Sequence, residues 1–360
     1  MKLRLLAAAL PLLFAAPVVA GITLPPLSQD PVPSKLDYPA PPAGWHVPRT
    51  SWGDPDLRGM WPVDYLAPTP RERTPDMGTR TQLNDAEYQE RLGAAKERLG
   101  LLPAQEKVGI LGMGSWTELG LPLHQTSMVT EPANGRYPAL TPEGARAKAA
   151  VHDSWNTQVF DKITDFGNWD RCLTRGLPAS QLPGAYNMGI RILQSPKLVT
   201  IAIEMVHETR LIYLDGRAAP PPSVQNYLGF SRGHWEGNSL VVETTNFTPG
   251  MSNGVTPNSD QMKLTERFTP TGPNQIRYEA WVEDPVMLTA PYKLDIPWQR
   301  NPKYKFFEYA CHEGNVQIRG YITATSPRFA KLRQQQFAAR GDAPSANPAP
   351  GGSAPGESAP

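Results

Sequence analysis

The chain has 360 residues, a formal net charge of +1, 40 prolines and 19% charged residues. A nearly neutral chain without a basic run argues against a nucleic-acid partner, whose phosphates are met by clustered Lys and Arg. The length accommodates one large domain or two ordinary ones.

Residues 1–20 read as a secretory signal. Lys2 and Arg4 open it, Leu5 to Phe14 form the apolar segment, and Val18-Val19-Ala20 supplies the cleavage site. No later stretch approaches the roughly 20 apolar residues that cross a bilayer, and no cysteine follows the signal to take a lipid. The expectation is a periplasmic or secreted protein with no membrane span, its partner a small-molecule ligand or substrate. Its two cysteines, Cys172 and Cys311, form a lone pair, which in an oxidising compartment predicts a disulfide across 139 residues (311 − 172). The alternatives are a reactive thiol or a metal ligand, although no C-x-x-C spacing is present.

Residues 21–160 read as a proline-rich arm followed by a helical cap region. Proline removes ladder donors and fixes φ, so the arm is expected to wrap the surface and add at most one short strand near Gly59-Met60-Trp61. Trp45, Trp52 and Trp61 would peg it down. Asn84-Asp85 caps a helix expected to stop at Gly100, and Thr141-Pro142-Glu143 opens a second running toward His152. Gly109 to Tyr137 reads as loop.

Residues 161–325 carry the strand signals. After an arginine-bearing loop, NWDRCLTRGLPAS (168–180), a long alternating run starts at Lys197. It places Val199, Ile201, Ile203, Met205 and His207 on one face and Glu204, Glu208 and Arg210 on the other. At ~3.3 Å per residue the run exceeds an ordinary strand, so a bend or bulge is expected near His207-Glu208. Phe230 to Phe247 is a complete hairpin around Gly237-Asn238, a two-residue turn of type I′ or II′. Its second arm is apolar on both faces and is expected to lie inside the sheet. Gln261–Thr269 and Gln275–Asp284 form another hairpin, which puts Glu266 on the apolar face with Met262, Leu264 and Phe268. Tyr292–Trp298 and Tyr304–Cys311 read as two further strands. Residues 326–360 read as a short helix and a Pro/Ala/Gly-rich tail that cannot bury enough apolar surface to order itself. Strands and helices do not alternate, so the fold class is mainly β: an antiparallel meander, as a curved sheet or lipocalin-like barrel, with the proline-rich arm and a few short helices.

The segments DRCLTRGLP (170–178), EMVHETRLIYLDGR (204–217), SRGHWEGNSLVVETTNF (231–247), LTERFTPTGPNQIRYEAWVEDP (264–285) and FEYACHEGN (307–315) resemble a large family of exported bacterial proteins usually described as hypothetical. The resemblance spans about residues 50–325. It implies export and a β-rich fold and carries no catalytic assignment.

No G-x-S-x-G, H-E-x-x-H, phosphate loop or dinucleotide fingerprint occurs. One recurrence stands out: Glu204-x-x-His207-Glu208 and Glu308-x-x-x-His312-Glu313 each put a glutamate and a His-Glu pair at an expected strand end. A Cys172–Cys311 bridge would carry Arg171 and Arg175 toward His312. A His/Glu/Arg cluster of this kind moves protons through His and holds anions through Arg, with Arg210 and Trp235 as further ligand contacts. The same groups suit a divalent metal through His207 and His312, or else form a satisfied internal network. Two functions follow. One is an exported β-barrel protein binding a small, largely apolar or aromatic ligand. The other is a lyase, isomerase or hydrolase; no cofactor is indicated for either.

Overall fold

The computed structural model describes residues 37–63, 68–107, 120, 122–154, 159–184, 186–252 and 256–340. The expected signal segment and the tail beyond Arg340 lie outside the described residues. Ten strands form one mixed sheet curled into a half-barrel. They are β1 (Gly59–Met60), β2 (Val129–Glu131), β3 (Ile190–Ser195), β4 (Leu198–Ile203), β5 (Thr209–Tyr213), β6 (Phe230–Glu236), β7 (Ser239–Thr245), β8 (Lys263–Gly272), β9 (Gln275–Glu283) and β10 (Tyr292–Gln299). In the sheet they follow the order β1-β3-β4-β5-β6-β7-β8-β9-β10-β2. Neighbours are antiparallel except β5 and β6, which run parallel through Ile212↔Ser231 and Tyr213↔Arg232. The proline-rich connection after Asp215-Gly216 is therefore a crossover, which a pure meander lacks. The half-barrel is open, with β1 and β2 as its outermost strands.

The hairpin at Gly237-Asn238 forms as its residues dictate, with β6 and β7 paired from Glu236↔Ser239 outward. Gly237 takes φ +61° and Asn238 does not take a positive φ, which is the type II′ rather than the I′ signature. β7 lies between β6 and β8, as its two apolar faces require.

The long run from Lys197 does not bend; it reverses. β4 and β5 pair through Ala202↔Thr209, and Ile203 N–H donates to the Glu208 carbonyl (2.8 Å). Val206 and His207 both take positive φ (61° and 55°), which turns the chain within residues 204–208. The reversal also switches parity. Val199, Ile201 and Ile203 are buried on β4, whereas Arg210 and Ile212 are buried on β5 and Leu211 is exposed. Period-two reasoning across the turn assigned His207 to the buried face; the structure places it at the exposed tip.

Two further expectations are corrected. No strand forms over 304–311: residues 301–310 are irregular, Cys311 opens a short helix, and Phe306 and Phe307 stay exposed, so the apolar pattern there has no core to face. The expected loop at 109–137 contributes β2, which pairs with β10 at Lys293↔Glu131 and Leu294↔Val129.

The helices are α1 (Asp85–Lys107), α2 (Pro142–Ala149), α3 (Cys311–Gly314), α4 (Gln317–Thr325) and α5 (Ala330–Arg340). At α1 the Asn84 Oδ1 accepts the Glu87 N–H (2.9 Å) and Glu87 Oε2 accepts the Asn84 N–H (2.8 Å), a reciprocal capping box. The helix continues past Gly100, since glycine lowers helix propensity by about 1 kcal/mol without ending a helix. Thr141 caps α2 by accepting the Gly144 N–H (3.0 Å).

The concave face is filled. Phe268, Tyr278 and Trp298 are buried with ring centroids 4.7–5.5 Å apart, and Leu177, Leu182 and Met188 of the 172–188 loop pack into the same core. The strand backbones are satisfied by their neighbours, so this apolar burial is the main stabilising term. The opposite face of β8–β10 is also covered, and there it is ionic. Lys293 Nζ lies 2.7 Å from Glu279, Arg277 lies 2.5 Å from Asp295, and Tyr38 donates to Asp295 (2.7 Å), pinning the start of the described chain onto the sheet.

Candidate functional site

The end of the half-barrel where β4 turns into β5 gathers the loops that carry most of the expected site residues. Cys172 and Cys311 are bonded there, with Cα atoms 5.8 Å apart. The bridge ties the 168–178 loop to α3, and Asn315 Nδ2 reinforces it by donating to the Asp170 carbonyl (2.7 Å).

Between these two segments opens a cleft of about 380 Å³. Phe166, Trp169, Tyr309 and Tyr321 line it beside Ile318 and the Cys311 side chain, and Ser154, Asp170, Asn315 and Gln317 form its polar lining. Phe166 is held by a 4.1 Å stack on the buried Phe160. Asp170 at the rim is already engaged, accepting from Ser154 N (2.9 Å) and Ser154 Oγ (2.6 Å), so it fixes the loop rather than presenting a free carboxylate.

Arg175 packs against Trp169 without lining the cleft. Its guanidinium carbon is 6.0 Å from the Trp169 ring centroid, and Nη1 lies 3.2 Å from the Met188 sulfur. Burial pulls its pKa down to about 10, helped by the charge of Arg71. It remains a cation at neutral pH. Glu208, buried in the β4–β5 turn, accepts the Arg175 backbone N–H through Oε1 (2.5 Å), with the hydroxyls of Ser180 and Thr174 beside it. Burial raises the Glu208 pKa above the usual carboxylate value. Tyr186 adjoins the group, its hydroxyl hydrogen-bonded to Tyr309 and its pKa raised, chiefly by burial.

The structure therefore brings together Arg175, Glu208 and the disulfide. Glu204, fully buried in the same turn, accepts from Asn187 Nδ2. Arg171 donates to Asn168 Oδ1 (2.9 Å) on the loop. His207, Glu308, His312 and Glu313 are exposed, and neither histidine lines the cleft. The second Glu/His-Glu grouping sits on irregular chain and a helical turn, so the strand-end recurrence does not survive folding. Among the described residues no group of three His, Cys, Asp or Glu side chains is arranged to hold a metal ion.

Arg210 occupies a different place, the middle of the concave face, where all five of its N–H donors are engaged. Nε donates to Ser231 Oγ (2.9 Å), Nη1 to Gln181 Oε1 (3.2 Å) and Glu266 Oε1 (2.9 Å), and Nη2 to Thr244 Oγ1 (2.6 Å) and Glu266 Oε2. Both Arg210 and Glu266 are buried. Trp235 is on the inward face of β6, four residues beyond Ser231 and so at the far end from the Glu204–Glu208 turn. Sequence reading missed Trp169, Tyr186, Met188, Tyr309 and Arg71. The only signal for the first was its position three residues before Cys172; the others carry no motif of their own.

No family model, curated protein or solved structure matches this chain.

Proposed function

We propose that this is an exported binding protein for a small, largely aromatic ligand, and that the ligand sits at the mouth of the half-barrel rather than within it. The observation that carries the reading is the cleft of about 380 Å³ walled by Phe166, Trp169, Tyr309 and Tyr321, with the Arg175 cation packed against Trp169. Ligand sites are typically concave, with apolar walls and polar groups that fix orientation, and this cleft sets four aromatic rings beside Asp170, Asn315 and Gln317. The filled concave face argues for the mouth, since Phe268, Tyr278 and Trp298 occupy the space a lumen would need. Export is supported by the signal-like residues 1–20 and by a disulfide, which persists in oxidising compartments. Membership of the exported bacterial family that the motifs resemble is part of the same proposal.

The acid-base alternative has one group in its favour, the Glu208 carboxyl with its raised pKa, but the histidines it needs are exposed and make no side-chain hydrogen bond among the described residues. Native mass spectrometry of protein recovered from the periplasm tests the binding reading. A co-purifying small aromatic molecule, lost from the Trp169→Ala variant, is the expected result. Unchanged retention in that variant would place the ligand elsewhere.

A further inference from the structure

The charge in the cleft has one sign. Among the described residues that line it, Asp170 is the one carboxylate, and no Lys, Arg or His joins it. Much of the polar lining is already used within the protein. Asp170 accepts from Ser154 N (2.9 Å), Ser154 Oγ (2.6 Å) and Gly167 N (3.2 Å). Asn315 Nδ2 donates to the Asp170 carbonyl (2.7 Å) and toward Cys172 Sγ (3.4 Å). A ligand rich in hydroxyls would find few of these groups vacant. The Asp170 charge is different, since three neutral donors leave it in place to act on whatever enters the cleft.

Four rings share the lining with that charge: Phe166, Trp169, Tyr309 and Tyr321. Phe166 and Tyr321 form a corner, with centroids 6.1 Å apart and planes at 56°. The buried Phe160 holds both in place, at 4.1 Å and 5.4 Å. Aromatic faces are the negative part of the ring quadrupole and attract a cation within about 6 Å of the centroid. An ammonium whose hydrogens are replaced by alkyl groups asks for no hydrogen bond and buries methyl surface against the rings. It therefore suits a site whose hydrogen-bonding groups are committed while its charge and ring faces are not. An anion in the same place would be repelled by both.

We propose that the cleft takes an organic cation, a small aromatic molecule carrying an alkylated ammonium group, with the ammonium held among the rings beside Asp170. The inference rests on the cleft reading and adds the sign of the ligand's charge to it. Arg175, packed against Trp169 from outside the lining, opposes a bound cation, so its removal should not weaken binding.

The test is calorimetry on the full mature chain with three probes that share an aromatic ring and differ in charge: phenyltrimethylammonium, benzyl alcohol and benzoate, at matched ionic strength. The expected result is at least about tenfold tighter binding of phenyltrimethylammonium than of either other probe, lost in Trp169→Ala. Gln317 lines the cleft from an exposed position at the start of α4, so its charge variants should fold even if Trp169→Ala does not. Gln317→Lys should reduce the preference for the cation, Gln317→Glu should increase it, and Arg175→Met should keep or increase it. Benzyl alcohol bound as tightly as phenyltrimethylammonium and lost in Trp169→Ala would leave the cleft reading standing and remove this inference. So would benzoate bound tightest, or a cation preference that falls in Arg175→Met. Choline bound as tightly as phenyltrimethylammonium, with the same response to the Gln317 charges, would keep the cation and remove the aromatic body. No binding of any probe, or cation binding indifferent to Trp169 and to both Gln317 variants, would overturn both readings.

Discussion

Replacing Arg210 with methionine tests whether this arginine is a strut of the core or a ligand contact. Arg210 and Glu266 have side-chain exposures of 2% and 0%, and every guanidinium N–H has an acceptor within the protein. Removing the cation leaves Glu266 as a buried carboxylate with only Gln181 Nε2 (2.7 Å) and the Tyr278 hydroxyl (2.9 Å) still donating to it. It also strips an interaction from Ser231, Thr244 and the Gln181 carbonyl. Breaking a buried pair on one side costs about 3–5 kcal/mol, because the surviving charge is uncompensated. Against a typical total stability of about 5–15 kcal/mol, that is a large fraction. Urea denaturation at neutral pH, read by two probes to check two-state behaviour, measures it. The cycle with Glu266→Leu should return a coupling of about 2–3 kcal/mol, since either single variant already forfeits the pair. Arg175→Met should instead cost less than about 1 kcal/mol or stabilise, because it removes a cation with no carboxylate partner. An Arg210→Met cost below about 1 kcal/mol, or strictly additive singles, would refute the assignment of Arg210 to the core.

Three other expectations follow from named contacts. The Glu208 pKa is raised by burial above its ordinary 4.5, so the folded state holds that proton more tightly than the unfolded state. Its stabilising contribution is complete below about pH 4.5 and is lost as pH rises through the raised value. Wild type should therefore lose stability relative to Glu208→Gln over that window, and parallel pH profiles of the two proteins would contradict it. The disulfide closes 139 residues of chain. Replacing both cysteines with alanine should lower stability by up to about 4–5 kcal/mol, less if the denatured chain is compact, as read by urea midpoints with the slope checked. Gly144 sits in the first turn of α2 with the Met287 carbonyl where a Cβ would go. Gly144→Ala should destabilise, although alanine is worth about 1 kcal/mol more than glycine in a helix interior; a raised thermal midpoint would count against that contact.

What the sequence determined by itself was local. Turn chemistry at Gly237-Asn238, the caps at Asn84 and Thr141, and two-residue alternation in β4 depend on neighbours a few residues away, and each took the form its residues imply. The lone cysteine pair was legible because no other partner existed for either. Glu266 was legible as an anomaly, a carboxylate on an apolar face, but its partner was not, because Arg210 lies 56 residues away and meets it only when β5, β6, β7 and β8 curl together. The tertiary structure alone decided that the run after Lys197 folds back on itself, because Val206 and His207 adopt a left-handed backbone that no local preference of valine predicts. That single reversal exposed His207 and buried Glu208 beside the Arg175 backbone. The cleft was equally out of reach. Trp169, Tyr309 and Tyr321 share no spacing or motif, and they form one wall only because a disulfide and a helix turn bring the 168–178 loop against the chain after β10.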